Sequence, residues 1–256
     1  MPRRIVNIPQ TMQAAISLFA LRLIFGMNLM LCIMPREKVP SAFFRIILLV
    51  ELGLAVLFAL TSPAMLWWGV ALSAATFVGS VLWLLERRGA GLVAISMISG
   101  LSLFAMNVLP TTSPEEVTIG PWLPRFSSLA SAGTLGAALT GMLLGHRYLT
   151  AQGMPLTPLI WLNAGLGIAA IFRCLVSLAA LATGIALLTD STYWIWLALR
   201  WLAGILGPMA ACIMVHRILR YRNTQAATGV LFVAVILTFI GELTADLLQR
   251  ALEVPF

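Results

Sequence analysis

Five charged residues lie well inside long apolar runs: Arg22, Glu51, Arg173, Arg200 and Glu242. In a water-free setting each costs about 2.5–3.5 kcal/mol to insert unless it is paired or hydrated. Their spacing suggests how they pair. Arg22 lies nine residues after the start of the first apolar run, and Glu51 ten before the end of the second. At about 1.5 Å per residue they reach similar depth on adjacent antiparallel helices. Arg200 is eight residues into the seventh run and Glu242 seven before the end of the eighth, so they match likewise. Asp246 stands one turn beyond Glu242.

Arg173 has no acid at its depth on a neighbouring run. It shares a helical row with Gly165, Ala169 and Ser177, a small and polar face that suits a packed or watery interior. A buried guanidinium takes a carboxylate, a phosphate or backbone carbonyls as partner. Two readings follow. In one, the charges are structural pairs, with Asp246 or carbonyls serving Arg173. In the other, Arg173 and Arg200 engage an anionic group, and Glu242 or Glu51 takes up a proton when the arginine is occupied.

The chain has two histidines, His146 and His216, each followed by an arginine at the end of an apolar run. They read as basic helix ends reaching to a headgroup layer. The other reading is axial ligation of a b-type haem. The three cysteines, Cys32, Cys174 and Cys212, fall inside apolar runs without a CxxC partner, which argues against a disulfide framework and a zinc site. Arg200, Gly204, Pro208, Cys212 and His216 recur four apart along one run. Pro208 removes a backbone donor there, so a kink is expected. Interrupted helices also line transporter sites. Gly133, Ala137, Gly141 and Gly145 form a stripe of small residues that admits a neighbouring backbone, within the chain or from a partner. Walker A, GxGxxG, GxSxG, HExxH and TVGYG patterns are absent, which argues against a known catalytic or channel motif.

The elements that carry these residues are dictated by composition. Of 256 residues, 61% are apolar and 10% charged, and the mean hydropathy is +0.99. Soluble domains are about 45–50% apolar and about 25% charged. The chain is therefore read as an all-α polytopic transmembrane helix bundle in one membrane domain. About eight spans are expected near 13–34, 42–61, 64–85, 90–110, 127–147, 160–188, 192–216 and 225–249. Pro35 and Pro40, Ser62-Pro63, and Glu86-Arg87-Arg88-Gly89 mark turns, and residues 111–126 form the longest loop. Arg3-Arg4 before a long first run carrying Arg22 reads as an uncleaved span rather than a signal peptide.

The net charge of +7 sits mainly between spans. With eight spans, nine basic residues fall on the face opposite the N-terminus and four on the N-terminal face. The basic face is expected to be cytoplasmic, in a bacterial-type plasma membrane, with both termini outside. Trp67, Trp68, Trp122, Trp194 and Trp196 would form a belt near the N-terminal face, and Trp83 and Trp161 one near the other. Ala20-Leu21-Arg22 recurs as Ala198-Leu199-Arg200, each followed by a glycine and then Cys-Ile-Met, which relates the first run to the seventh and fits no 4+4 duplication.

These observations lead to a small transporter or permease-like protein with an arginine-containing interior. It would meet the bilayer and an anionic small molecule or lipid headgroup, and no nucleic acid. The alternatives are a non-catalytic subunit docking through the small-residue stripe as a homo- or hetero-oligomer, and a haem b electron carrier using His146 and His216.

Overall fold

A computed structural model describes residues 8–109, 122–150, 153–185, 188 and 190–252. The described chain is helical almost throughout. Helices α1 (Ile8–Ile33), α2 (Ser41–Thr61), α3 (Leu66–Leu84) and α4 (Arg88–Val108) are followed by α5 (Trp122–Thr150) and α6 (Thr157–Gly184). Then come α7 (Ser191–Trp201), a π-helical turn (Leu202–Leu206), α8 (Gly207–Arg220) and α9 (Thr224–Leu252). Helix α7, the π turn and α8 run on as one crossing, so eight segments are long and apolar enough to span a bilayer. The shortest has 21 residues, about 32 Å at the helical rise, which covers a hydrocarbon core of about 30 Å.

Local chemistry accounts for the ends. Pro63 and Pro158 occupy first-turn positions, where a missing N–H costs nothing. Asp190 caps α7 by accepting from the Thr192 N–H at 3.2 Å, and Asn223 caps α9 by accepting from the Ala226 N–H at 3.0 Å. Glu86 and Arg222 turn the chain after α3 and α8 with φ of 55° and 56°. Helix α5 begins at Trp122, five residues before its expected start, because Pro124 fits a first helical turn and does not end the helix. Helix α6 stops at Gly184, short of the expected 188.

The packing is organised around α5. It lies against α1, α6 and α9, and α1 also carries α2 and α4, with α3 closing against α2 and α4. On the other side α9 packs on α7, the π turn and α8, and α8 on α6. Helix α5 is the least apolar crossing and the most enclosed, whereas most of α3 faces outward. Glycine, alanine, serine and threonine make this possible, since small side chains let three neighbours approach one backbone. At the α1–α5 crossing, a Cβ on Gly26 would strike the Ala132 carbonyl, and one on Gly136 the Gly26 backbone.

The outward faces carry large apolar side chains, as a lipid-facing surface requires. Trp67, Trp68, Trp122, Trp161 and Trp194 are exposed. Trp83 departs from its expected place. It is 1% exposed and stacks on Phe44 with centroids 4.0 Å apart, under Gly91. Gly91 leaves room for the indole, so Trp83 fills the core between α2, α3 and α4.

Candidate functional site

Helices α1, α5, α6, α7 and α9 bring four of the five buried charges to one place. Glu242 projects from α9, and three arginines surround it. Arg173 donates from Nη2 to Glu242 Oε1 at 2.9 Å. Arg200 Nη1 stands 3.7 Å from the same oxygen. Arg22 Nη1 reaches Oε2 at 3.5 Å. Arg173 and Arg200 are each 1% exposed, Glu242 4% and Arg22 13%.

Neutral acceptors complete the shell. Arg173 Nη1 donates to the Ser127 carbonyl at 2.7 Å and to its hydroxyl at 3.0 Å. Arg22 Nη2 donates to Ser128 Oγ at 3.1 Å. Arg200 Nη2 donates to Ser177 Oγ at 3.3 Å. Arg22 Nε and Arg200 Nε have no hydrogen-bond acceptor among the described residues. Among the described residues, three guanidiniums around one carboxylate carry a formal charge of +2. Such a centre is costly in lipid unless further negative charge joins it.

The expected pairs are therefore half corrected. Arg200 meets Glu242 as the depth matching requires. Arg22 does not meet Glu51; it turns to Glu242 instead. Similar depth leaves rotation about the helix axis open, and Arg22 lies on the side of α1 that faces α5 and α9. Arg173 takes Glu242 and Ser127 rather than Asp246, which pairs with Arg250 at 2.8 Å on the surface. Glu51 stands apart, fully buried, with the Asn28 amide donating to its Oε2 at 2.8 Å. Asn28, Ser127 and Ser128 were not singled out in the sequence. The signal for Asn28 was present, since it lies in the middle of an apolar run six residues after Arg22.

Backbone contacts position the charges. Glu242 follows Gly241, and Gly241 packs on Gly204 of the π turn, one helical turn after Arg200. The turn precedes Gly207-Pro208, as expected of a proline that cannot donate to the preceding turn. Further along, α8 is tied to α6 by a reciprocal pair. Asn163 Nδ2 donates to the Cys212 carbonyl at 3.0 Å, and Cys212 Sγ to the Asn163 carbonyl at 3.2 Å. Cys32, Cys174 and Cys212 are all free thiols.

Two other expectations are placed by the packing. Gly133, Ala137, Gly141 and Gly145 are buried inside the chain. Gly133 faces Ala169 of α6, while Gly141 and Gly145 face Leu231 and Thr228 of α9. The stripe is thus no docking surface for a partner, because the chain's own helices occupy it. His146 and His216 are both exposed, and His216 Nε2 lies 3.5 Å from Arg220 Nη2 of its own helix. Both imidazoles face outward from the bundle. Among the described residues, no three His, Cys, Asp or Glu side chains gather as metal ligands.

No protein-family model, no curated protein and no solved structure matches this chain.

Proposed function

We propose that this polytopic membrane protein is a small permease-like carrier whose arginine cluster engages the anionic group of a solute or lipid headgroup. One observation carries the reading: among the described residues, three buried guanidiniums converge on the carboxylate of Glu242. An anion entering the cluster adds negative charge beside the guanidiniums and offers acceptors to the Nε–H groups of Arg22 and Arg200. Arginine suits this role because its planar fork binds carboxylate and phosphate oxygens in pairs. In this reading Arg173 and Arg200 hold the anion. Arg22, the most exposed of the three, stands at its approach. Glu242 keeps the three side chains oriented and competes with the anion, so that binding remains reversible.

The membrane is a bacterial-type plasma membrane in this proposal. The face carrying Arg36, Lys38, Arg87, Arg88, Arg217, Arg220 and Arg222 is cytoplasmic, and both termini lie outside.

The test is binding of inorganic phosphate and of succinate to the purified protein, alongside flotation with vesicles containing phosphatidylglycerol. Arg173→Gln is expected to abolish binding of whichever anion the wild type takes, while the variant still inserts and purifies as a folded protein. Unchanged anion binding by Arg173→Gln overturns the assignment.

A further inference from the structure

Two buried carboxylates, Glu242 and Glu51, sit in opposite surroundings. Glu242 is faced by three guanidiniums. Glu51 occupies the buried stripe of α2 between Ile47, Leu48, Ala55 and Phe58. Its Oε2 accepts from Asn28 Nδ2, whose second N–H goes to the Ile24 carbonyl at 2.9 Å. Its Oε1 and the Asn28 Oδ1 are both buried without a hydrogen-bond partner among the described residues.

No basic side chain among the described residues comes within ion-pair distance of Glu51. Helix α3, packed on α2, has no ionisable residue, and neither has the short turn Pro63–Met65. On α1 the ionisable groups are Arg22, committed to Glu242, and Cys32, one turn beyond Asn28. On α5 they are Arg125, His146, Arg147 and Tyr148, all near its ends. Arg45 of α2 itself is exposed. An ionised carboxylate with one amide for company loses far more solvation than it regains, and protonation removes that cost.

We propose that Glu51 and Asn28 form an intramembrane proton-binding site, separate from the arginine cluster, in which Glu51 is a neutral carboxylic acid at neutral pH. The Asn28 amide donates to the carbonyl oxygen of that acid, and the proton resides on the other oxygen. The two sites share α1, where Asn28 follows Arg22 by six residues, about 9 Å of helical rise. A role for this proton in moving an anion rests on the carrier reading above. The protonation state of Glu51 does not.

Infrared spectroscopy of the protein in lipid at neutral pH tests the site directly. The wild type is expected to show a protonated carboxylic acid C=O band that moves to lower frequency in heavy water. The band is expected to vanish in Glu51→Gln, to persist in Glu242→Gln, and to shift in Asn28→Leu. Glu51→Gln is a neutral isostere of the protonated acid and is expected to keep the wild-type melting temperature. A wild type without the band, a band retained in Glu51→Gln, or a band unmoved in heavy water overturns the proposal. So does a band lost on adding sodium ions, which would make this a cation site. A band with these properties in a protein that binds neither phosphate nor succinate leaves the proton site standing and removes the carrier reading alone.

Discussion

Gly204 and Gly241 meet backbone to backbone. A Cβ built on Gly204 would lie 2.8 Å from the Gly241 Cα and 2.6 Å from Nη1 of Arg200. This crossing sets the candidate site, because Arg200 lies four residues before one glycine and Glu242 immediately after the other. The guanidinium occupies the space that a side chain on Gly204 would fill. The π turn that contains Gly204 and the α9 segment that carries Glu242 are thereby held at a separation that brings Arg200 Nη1 to 3.7 Å from the carboxylate.

Adding a methyl at this crossing should be costly. Gly241→Ala is expected to destabilise the protein by about 1–3 kcal/mol, since the added methyl would strike the Gly204 backbone and the crossing cannot relax without moving the charges. Gly53→Ala is the control. Nothing lies within 4 Å of a Cβ there, so removing a mid-helix glycine should be neutral or gain up to about 1 kcal/mol. Thermal unfolding in detergent reads both. Equal behaviour of the two variants would contradict the close approach.

The central carboxylate should matter more than any one arginine. Glu242→Gln removes the carboxylate charge that three guanidiniums share and is expected to cost about 3–5 kcal/mol. Adding Arg173→Gln to that variant should recover part of the loss, because one of the mutually repelling guanidiniums is gone. A double-mutant cycle on unfolding free energies checks this. Simple addition of the two losses would mean the groups do not interact.

The α6–α8 tie has a smaller effect. Asn163→Leu removes the Nδ2 donor to the Cys212 carbonyl and is expected to cost about 1 kcal/mol, in the range of single polar contacts between membrane helices. Unfolding by a denaturing detergent in bicelles reports it. A loss several times larger would give Asn163 a role beyond this bond.

Orientation can be read by cysteine labelling. With Cys32, Cys174 and Cys212 replaced, Lys38→Cys and Arg222→Cys are expected to react with an impermeant maleimide only after the cytoplasmic face is opened. Asp190→Cys is expected to react in intact cells. The reverse pattern would invert the topology and place the basic loops outside.

The histidines make a spectroscopic prediction. Both imidazoles are exposed, so the purified protein is expected to show no Soret band before or after dithionite. A band that disappears with His146→Ala or His216→Ala would restore the electron-carrier reading.

Much of this protein was legible without coordinates, for a simple reason. A bilayer forces every backbone polar group to be satisfied within its own segment, so long apolar runs between turns can only be helices. Eight crossings, the disruption at Gly207-Pro208 and the identity of the buried charges all follow from residue order. Depth along the membrane follows too, which is why Arg200 and Glu242 could be matched. Rotation about each helix axis does not follow. Arg22 and Glu51 match in depth yet face different neighbours, and only packing shows that Arg22 joins Arg173 and Arg200 on Glu242 while Glu51 is left to Asn28. The glycines of α5 declare a close approach but not its partner, because lipid and protein are equally apolar and only shape decides between them. Tertiary structure alone placed α5 at the centre and gathered the three arginines around Glu242.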